Sequence, residues 1–97
     1  MKDKIKLVEK HIEMYLVAKV KIESTISGIH LKPHVVDHYK YVHYAINQLE
    51  EELRLIIFND FMAKNKRNWY LEYFSTSSYY RLRKVAIEKF LNCLEGL

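Results

Sequence analysis

Ser75-Thr76-Ser77-Ser78-Tyr79-Tyr80-Arg81-Leu82-Arg83-Lys84-Val85-Ala86-Ile87 is the stretch on which the reading of this chain turns. Small hydroxyl residues, which accept hydrogen bonds from the free N–H groups of a helix start, open a segment that is both basic and apolar at helical spacing. That pattern suits the second helix of a helix-turn-helix, whose start reaches bases while one side packs and another meets phosphates. Ser75 or Ser77 is the expected cap, an interaction worth about 1 kcal/mol. The spacing predicts a helix over roughly 77–94, with Tyr79, Leu82, Ala86 and Phe90 in one stripe and Ile87, Leu91 and Leu94 beside it. Tyr79 then points inward and Tyr80 outward.

Working upstream, Lys64-Asn65-Lys66-Arg67-Asn68 is a polar, basic break, followed by a short aromatic helix over Trp69–Phe74. Pro33 suits the first turn of an earlier helix, where its missing N–H is not needed. From there Val35, Tyr39, Val42, Ile46, Leu49, Leu53 and Ile56 alternate steps of four and three, a heptad seam. One long helix over about 34–62 is the simplest reading. Its seam is expected to bury against a first helix over 3–23, whose stripe is Ile5, Val8, Ile12, Leu16 and Val20. Residues 24–32, with Gly28, form the connector. With only two glycines and one proline there is little material for β-turns. The fold expected is all-α: one domain over 1–97, with a helical hairpin scaffold (1–63) and a C-terminal helix-turn-helix-like unit (64–97).

Charge is unevenly spread. Residues 1–60 carry nine Lys/Arg and nine Asp/Glu, whereas residues 61–97 carry seven Lys/Arg and three Asp/Glu, so the whole net charge of +4 lies in the last third. A localised basic face is what binding to a phosphate backbone requires. No signal-peptide pattern opens the chain, and no apolar run approaches the roughly 20 residues that span a bilayer. Cys93 stands alone in an apolar context and is expected to pack as a small hydrophobe. A cytoplasmic location without membrane association is the expectation.

The same residues resemble a family. The segment from Ser75 is similar to the C-terminal half of the ArpU-type phage late-gene transcriptional regulators, themselves similar to region 4 of σ70-class factors. The family carries Ser-x-Ser-Thr-Tyr-Tyr-Arg-x-Lys-Lys-x-Ala-Leu; Ser75, Ser77, Tyr79, Tyr80, Arg81, Lys84 and Ala86 match in place, with Ser78, Arg83 and Ile87 standing for Thr, Lys and Leu. Upstream, residues 45–57 resemble the family's Ala-Ile…Leu…Glu-Arg-Leu-Ile helix, so the resemblance covers about residues 40–94. It departs at Trp69–Phe74, where the family has a small residue at the helix crossing and often Gly in the turn. Bulky aromatics there imply a wider crossing or a turn of altered length.

The resemblance implies a DNA-binding transcriptional regulator. Thr76, Ser77, Ser78, Tyr80, Arg81 and Lys84 would enter the major groove of double-stranded DNA, and Lys66, Arg67 and Arg83 would hold phosphates. A dimer through residues 34–62, or RNA polymerase, would supply further affinity. The alternative is a helical protein–protein interaction module, or a small protein that keeps the helix-turn-helix-like shape without binding DNA.

Other chemistry finds little support. His30, His34 and His38 with Asp37 invite a metal reading, His34 and His38 being one helical turn apart, but no second cluster completes a ligand set. Glu50, Glu51 and Glu52 are consecutive and point around a helix instead of converging as an acid/base pair. Cys93 has no evident His partner. No phosphate-binding loop or nucleophile elbow is present. Neither catalysis nor a cofactor is expected. Tyr39, Tyr41 and Tyr44 read as packing residues, not as a base-stacking platform.

Overall fold

A computed structural model of the protein describes residues 1–24 and 31–96. The fold is all-α. A helical hairpin, α1 (Lys2–Glu23) and α2 (Pro33–Gln48), leads into α3 (Glu51–Ile57) and a π-helical turn (Phe58–Met62). A single 3₁₀ turn (Trp69–Glu72) precedes α4 (Thr76–Glu95). The α3–π–α4 cluster has the helix-turn-helix-like shape.

The expected long helix is interrupted. Leu49 and Glu50 are extended, with ψ of 144° and 154°, and separate α2 from α3. Local competition for backbone acceptors accounts for the break. Asn47 turns its side-chain amide onto the His43 carbonyl, and Arg54 reaches back with Nη2 to the Leu49 carbonyl at 3.0 Å. Glu51 and Glu52 then occupy the first turn of α3, where acidic side chains favour a helix start through the helix dipole. Leu49 and Leu53 both remain buried across the break.

One apolar cluster joins every α-helix except at its ends. Val8, Ile12 and Tyr15 of α1 meet Val42, Ala45 and Ile46 of α2, Leu53 and Ile57 of α3, and Ala86, Ile87, Phe90 and Leu91 of α4. The expected stripe of α4 is therefore the packed one, with Leu82, Leu94 and Cys93 at its margin. On α1 Val8 and Ile12 are buried and Ile5 and Leu16 pack beside them as expected, but the buried face is rotated towards Tyr15 and Ala18, and Val20 stays exposed. Tyr41 and Tyr44 also lie on the surface, and only Tyr39 packs against the core. Pro33 sits at the start of α2 as expected.

Past the π-helical turn the chain reverses. Lys64 takes a positive φ of 49°, and the Asn65 N–H donates to the Asn59 carbonyl at 2.9 Å. The expected third helix shrinks to the one 3₁₀ turn. The backbone here closes at three-residue spacing, the Leu71 N–H donating to the Asn68 carbonyl at 3.2 Å and the Tyr73 N–H to the Tyr70 carbonyl at 2.9 Å, and Ser75 then opens α4. Among the described residues, no helix is long and apolar enough to cross a membrane.

Candidate functional site

Outside the core, the start of α4, an imidazole pair on the hairpin and an apolar groove beside the π-helical turn each bring chemistry-bearing side chains together.

At the start of α4, Ser75 Oγ accepts from the Ser78 N–H at 3.3 Å, so Ser75 caps the helix. Thr76, Ser77, Tyr80, Arg81 and Lys84 are exposed, and Ser78 is half-buried against the cap. Their spacing, with 77, 80, 81 and 84 three or four apart, puts them on one outward face. Lys66 and Arg67 are exposed on the preceding connection. Arg83 is drawn inward instead: its Nε donates to Asp60 Oδ2 at 3.0 Å, and its guanidinium lies over the Phe61 ring at 5.5 Å.

Asp60, which no motif marks, organises this end of the molecule. Its Oδ1 accepts from Trp69 Nε1 at 2.7 Å, while Oδ2 accepts from the Tyr79 hydroxyl at 2.6 Å and from Arg83. One carboxylate thus fastens the 3₁₀ turn and α4 to the π-helical turn. The Tyr70 and Tyr79 rings stack at 3.9 Å, and Trp69 meets Tyr79 edge-on at 5.9 Å. Burial, with the hydrogen bond to Asp60, pushes the Tyr79 phenol well above its ordinary range.

The fold also redistributes charge. Asp60 engages Arg83, and Glu50 accepts from Lys89 Nζ at 3.0 Å. Both carboxylates come from the electrically balanced first 60 residues and engage two cations of the last third, while Lys4 of α1 pairs in return with Glu88 at 3.8 Å.

On the hairpin, His11 Nδ1 and His38 Nε2 are 2.9 Å apart, with the two rings within 19° of parallel. One imidazole must donate and the other accept, so the pair is at its best when at least one ring is neutral. Beside it Tyr15 stacks on Tyr39 at 4.9 Å and hydrogen-bonds His43 Nδ1 at 3.1 Å. The structure thus brings His38 to His11 across the hairpin, while His34 and Asp37 are exposed and His30 lies outside the described residues. Among the described residues no group of three His, Cys, Asp or Glu is placed to hold a metal ion.

Burial lowers the pKa of both His11 and His38, and mutual repulsion and Lys10 lower His11 further. A folded-state pKa below the unfolded value stabilises the fold above the unfolded pKa, and that contribution is lost as pH falls through the folded one. An NMR titration of the ring protons should therefore place the His11 and His38 midpoints below the ordinary 6.5. The urea midpoint should drop on acidification through this range, with a flatter slope in His38→Gln.

The third arrangement is a groove of about 740 Å³ lined by Ile46, Leu55, Phe58, Met62 and Tyr73, with Lys19, Glu51, Glu52 and Arg54 at its rim. Phe58 is 49 % exposed and Tyr73 60 % exposed. Within the π-helical turn Asn59 and Phe61 face inward, and Phe58 lines the groove. Phe58 falls off the heptad seam, two residues past Ile56, so its outward position follows from spacing, whereas the groove around it depends on how Ile46, Met62 and Tyr73 pack.

Compared with protein-family models, curated proteins and solved structures, the chain matches none. The resemblance to the ArpU-type regulators rests on residues 75–87 and 45–57 alone.

Proposed function

We propose that this chain is a helical protein–protein interaction module that keeps a helix-turn-helix-like shape. The observation that carries this reading is the groove beside Phe58. A soluble surface rarely leaves two aromatic rings this open around a concave apolar floor unless something covers them. Its charged rim and apolar floor suit the apolar face of an amphipathic helix, which docks through residues three and four apart. The redistribution of charge supports the same reading, because Asp60 and Glu50 engage two cations of the basic third. So does the connection between the π-helical turn and α4, residues 63–75, which is far longer than the turn of three or four residues that sets the two helices of a DNA-binding helix-turn-helix.

A photoreactive residue replacing Phe58 is expected to link the chain to a discrete partner protein in cells, whereas the same residue replacing Tyr41 on α2 is not. Binding of that purified partner should weaken tenfold or more in Phe58→Asp, since a central aromatic anchor contributes about 2 kcal/mol. Equal cross-linking from both positions would remove the groove from consideration.

One observation favours the second reading, DNA binding in transcription control of the ArpU type: the capped start of α4 exposes Thr76, Ser77, Tyr80, Arg81 and Lys84 together. It requires duplex binding that weakens with salt. The slope should be shallower by about 0.9 for each phosphate that Arg81→Ala/Lys84→Ala no longer neutralises. The interaction reading expects the two proteins to behave alike.

A further inference from the structure

The outer face of α1 carries a stripe that the chain's own core does not use. Asp3, Leu7, Lys10, Met14, Val17 and Lys21 alternate steps of four and three, a heptad seam on the side opposite Val8, Ile12 and Tyr15. Leu7 is 41 % exposed, Met14 46 % and Val17 52 %. Apolar side chains recurring at this spacing on a solvent-facing helix mark a surface for another helix. We infer that this face binds α1 of a second copy of the chain, antiparallel, to form a two-fold symmetric dimer.

The charges select that occupant. In an antiparallel pair the two kinds of seam position face each other across the interface. Aligning Leu7 with Val17 of the second copy brings Met14 against the aliphatic stem of its Lys10 and puts Asp3 opposite its Lys21. The two-fold axis repeats each pair, so one register satisfies both ends of the seam. Near the axis, Lys10 and Glu13 of each copy meet as two positive and two negative groups. A parallel pair would instead set Lys10 against Lys10 and Lys21 against Lys21. Among the described residues, none of Asp3, Lys10, Glu13 and Lys21 makes an ion pair within its own chain.

Shape agrees with charge. Val35 of α2 rises beside the stripe and, with Lys10, Met14, Val17, Ala18 and Lys21, encloses a shallow, mainly apolar hollow of about 390 Å³. Leu7 of the second copy, opposite Val17, is the side chain that fills it, a knob entering a hole. The hollow lies on a different side of α1 from Lys19, which borders the Phe58 groove, so the dimer does not depend on the function proposed above.

Sedimentation equilibrium of the full chain over a wide concentration range tests this. The wild type should associate to a dimer, and Met14→Glu/Val17→Glu should be monomeric throughout with unchanged helical circular dichroism. Asp3→Lys or Lys21→Asp alone should raise the dimer dissociation constant about tenfold, each acting at two symmetry-related pairs. The combined Asp3→Lys/Lys21→Asp protein should return close to the wild-type value, because the pairs are restored with signs exchanged. A monomeric wild type, a dimer indifferent to Met14→Glu/Val17→Glu, or a double reversal that fails to restore association would each overturn the inference. Dimerisation abolished by Phe58→Asp would overturn it as well, by placing the contact in the groove.

Discussion

Asp60→Ala is expected to lower the unfolding free energy by about 3 kcal/mol, the scale for removing one partner of a largely buried ion pair and its hydrogen bonds. For a chain of this size that corresponds to a fall of roughly 15 °C in Tm. Three donors lose their acceptor at once: Trp69 Nε1, the Tyr79 hydroxyl and Arg83 Nε. Arg83, with 23 % of its side chain exposed, can turn towards water, which limits its share of the loss. The Tyr79 hydroxyl cannot do so without disturbing the Tyr70 stack. Asp60→Asn should cost about half as much, since its amide oxygen still accepts one bond while the attraction for Arg83 is gone. Trp69 is the only tryptophan, so its fluorescence reports directly on the cluster. Its emission should shift to the red in folded Asp60→Ala. A loss below about 1 kcal/mol with unshifted emission would show that Asp60 does not hold the 3₁₀ turn to α4.

Asp60 also separates what the sequence reveals from what only folding decides. The helices of the hairpin and the packed stripe of α4 follow from spacing of three and four, which is a local property of the chain. The Ser75 cap follows from side-chain chemistry at a helix start. The interruption at Leu49 was legible in a different way: Glu50-Glu51-Glu52 ahead of Leu53 has the acidic character of a helix N-terminus. A seam that continues without a slip conceals it, because Leu49 and Leu53 stay buried on both sides of the break. The π-helical turn has no comparable mark. Spacing leaves Phe58 off the seam and puts Asp60 at its next position, but it does not show that a carboxylate there meets Trp69, Tyr79 and Arg83 as donors.

The binding surfaces were harder to read for the same reason. Net charge counted along the chain assigns Arg83 and Lys89 to a basic face. In the fold, Glu50 and Asp60, distant in sequence, sit against them. Charge complementarity between segments this far apart depends on tertiary packing, which a linear count does not contain. The α1 stripe shows the converse. Leu7, Met14 and Val17 repeat as regularly as Ile5, Val8, Ile12 and Leu16, the stripe that spacing assigns to the core, and the packed structure leaves this second stripe outside.

Phe90→Ala is expected to cost about 3–5 kcal/mol, the range for emptying a large aromatic site in a packed core. Phe90 is fully buried between α4 and the other helices, and no polar group there can move in to compensate. The loss is a large fraction of the total stability of a small fold, so urea unfolding should begin near zero denaturant. Ten residues earlier on the same helix, Tyr80→Ala should change stability by less than about 0.5 kcal/mol, because its ring is exposed. The contrast measures the rotation of α4 about its own axis. Tyr79 anchors the start of the helix through Asp60 and Phe90 anchors its end in the core, and that rotation leaves Tyr80, Arg81 and Lys84 outward. Turning the helix by one residue would bury Tyr80 and release Arg83. Equal costs for Phe90→Ala and Tyr80→Ala would mean that the face at the start of α4 is not the surface the helix presents.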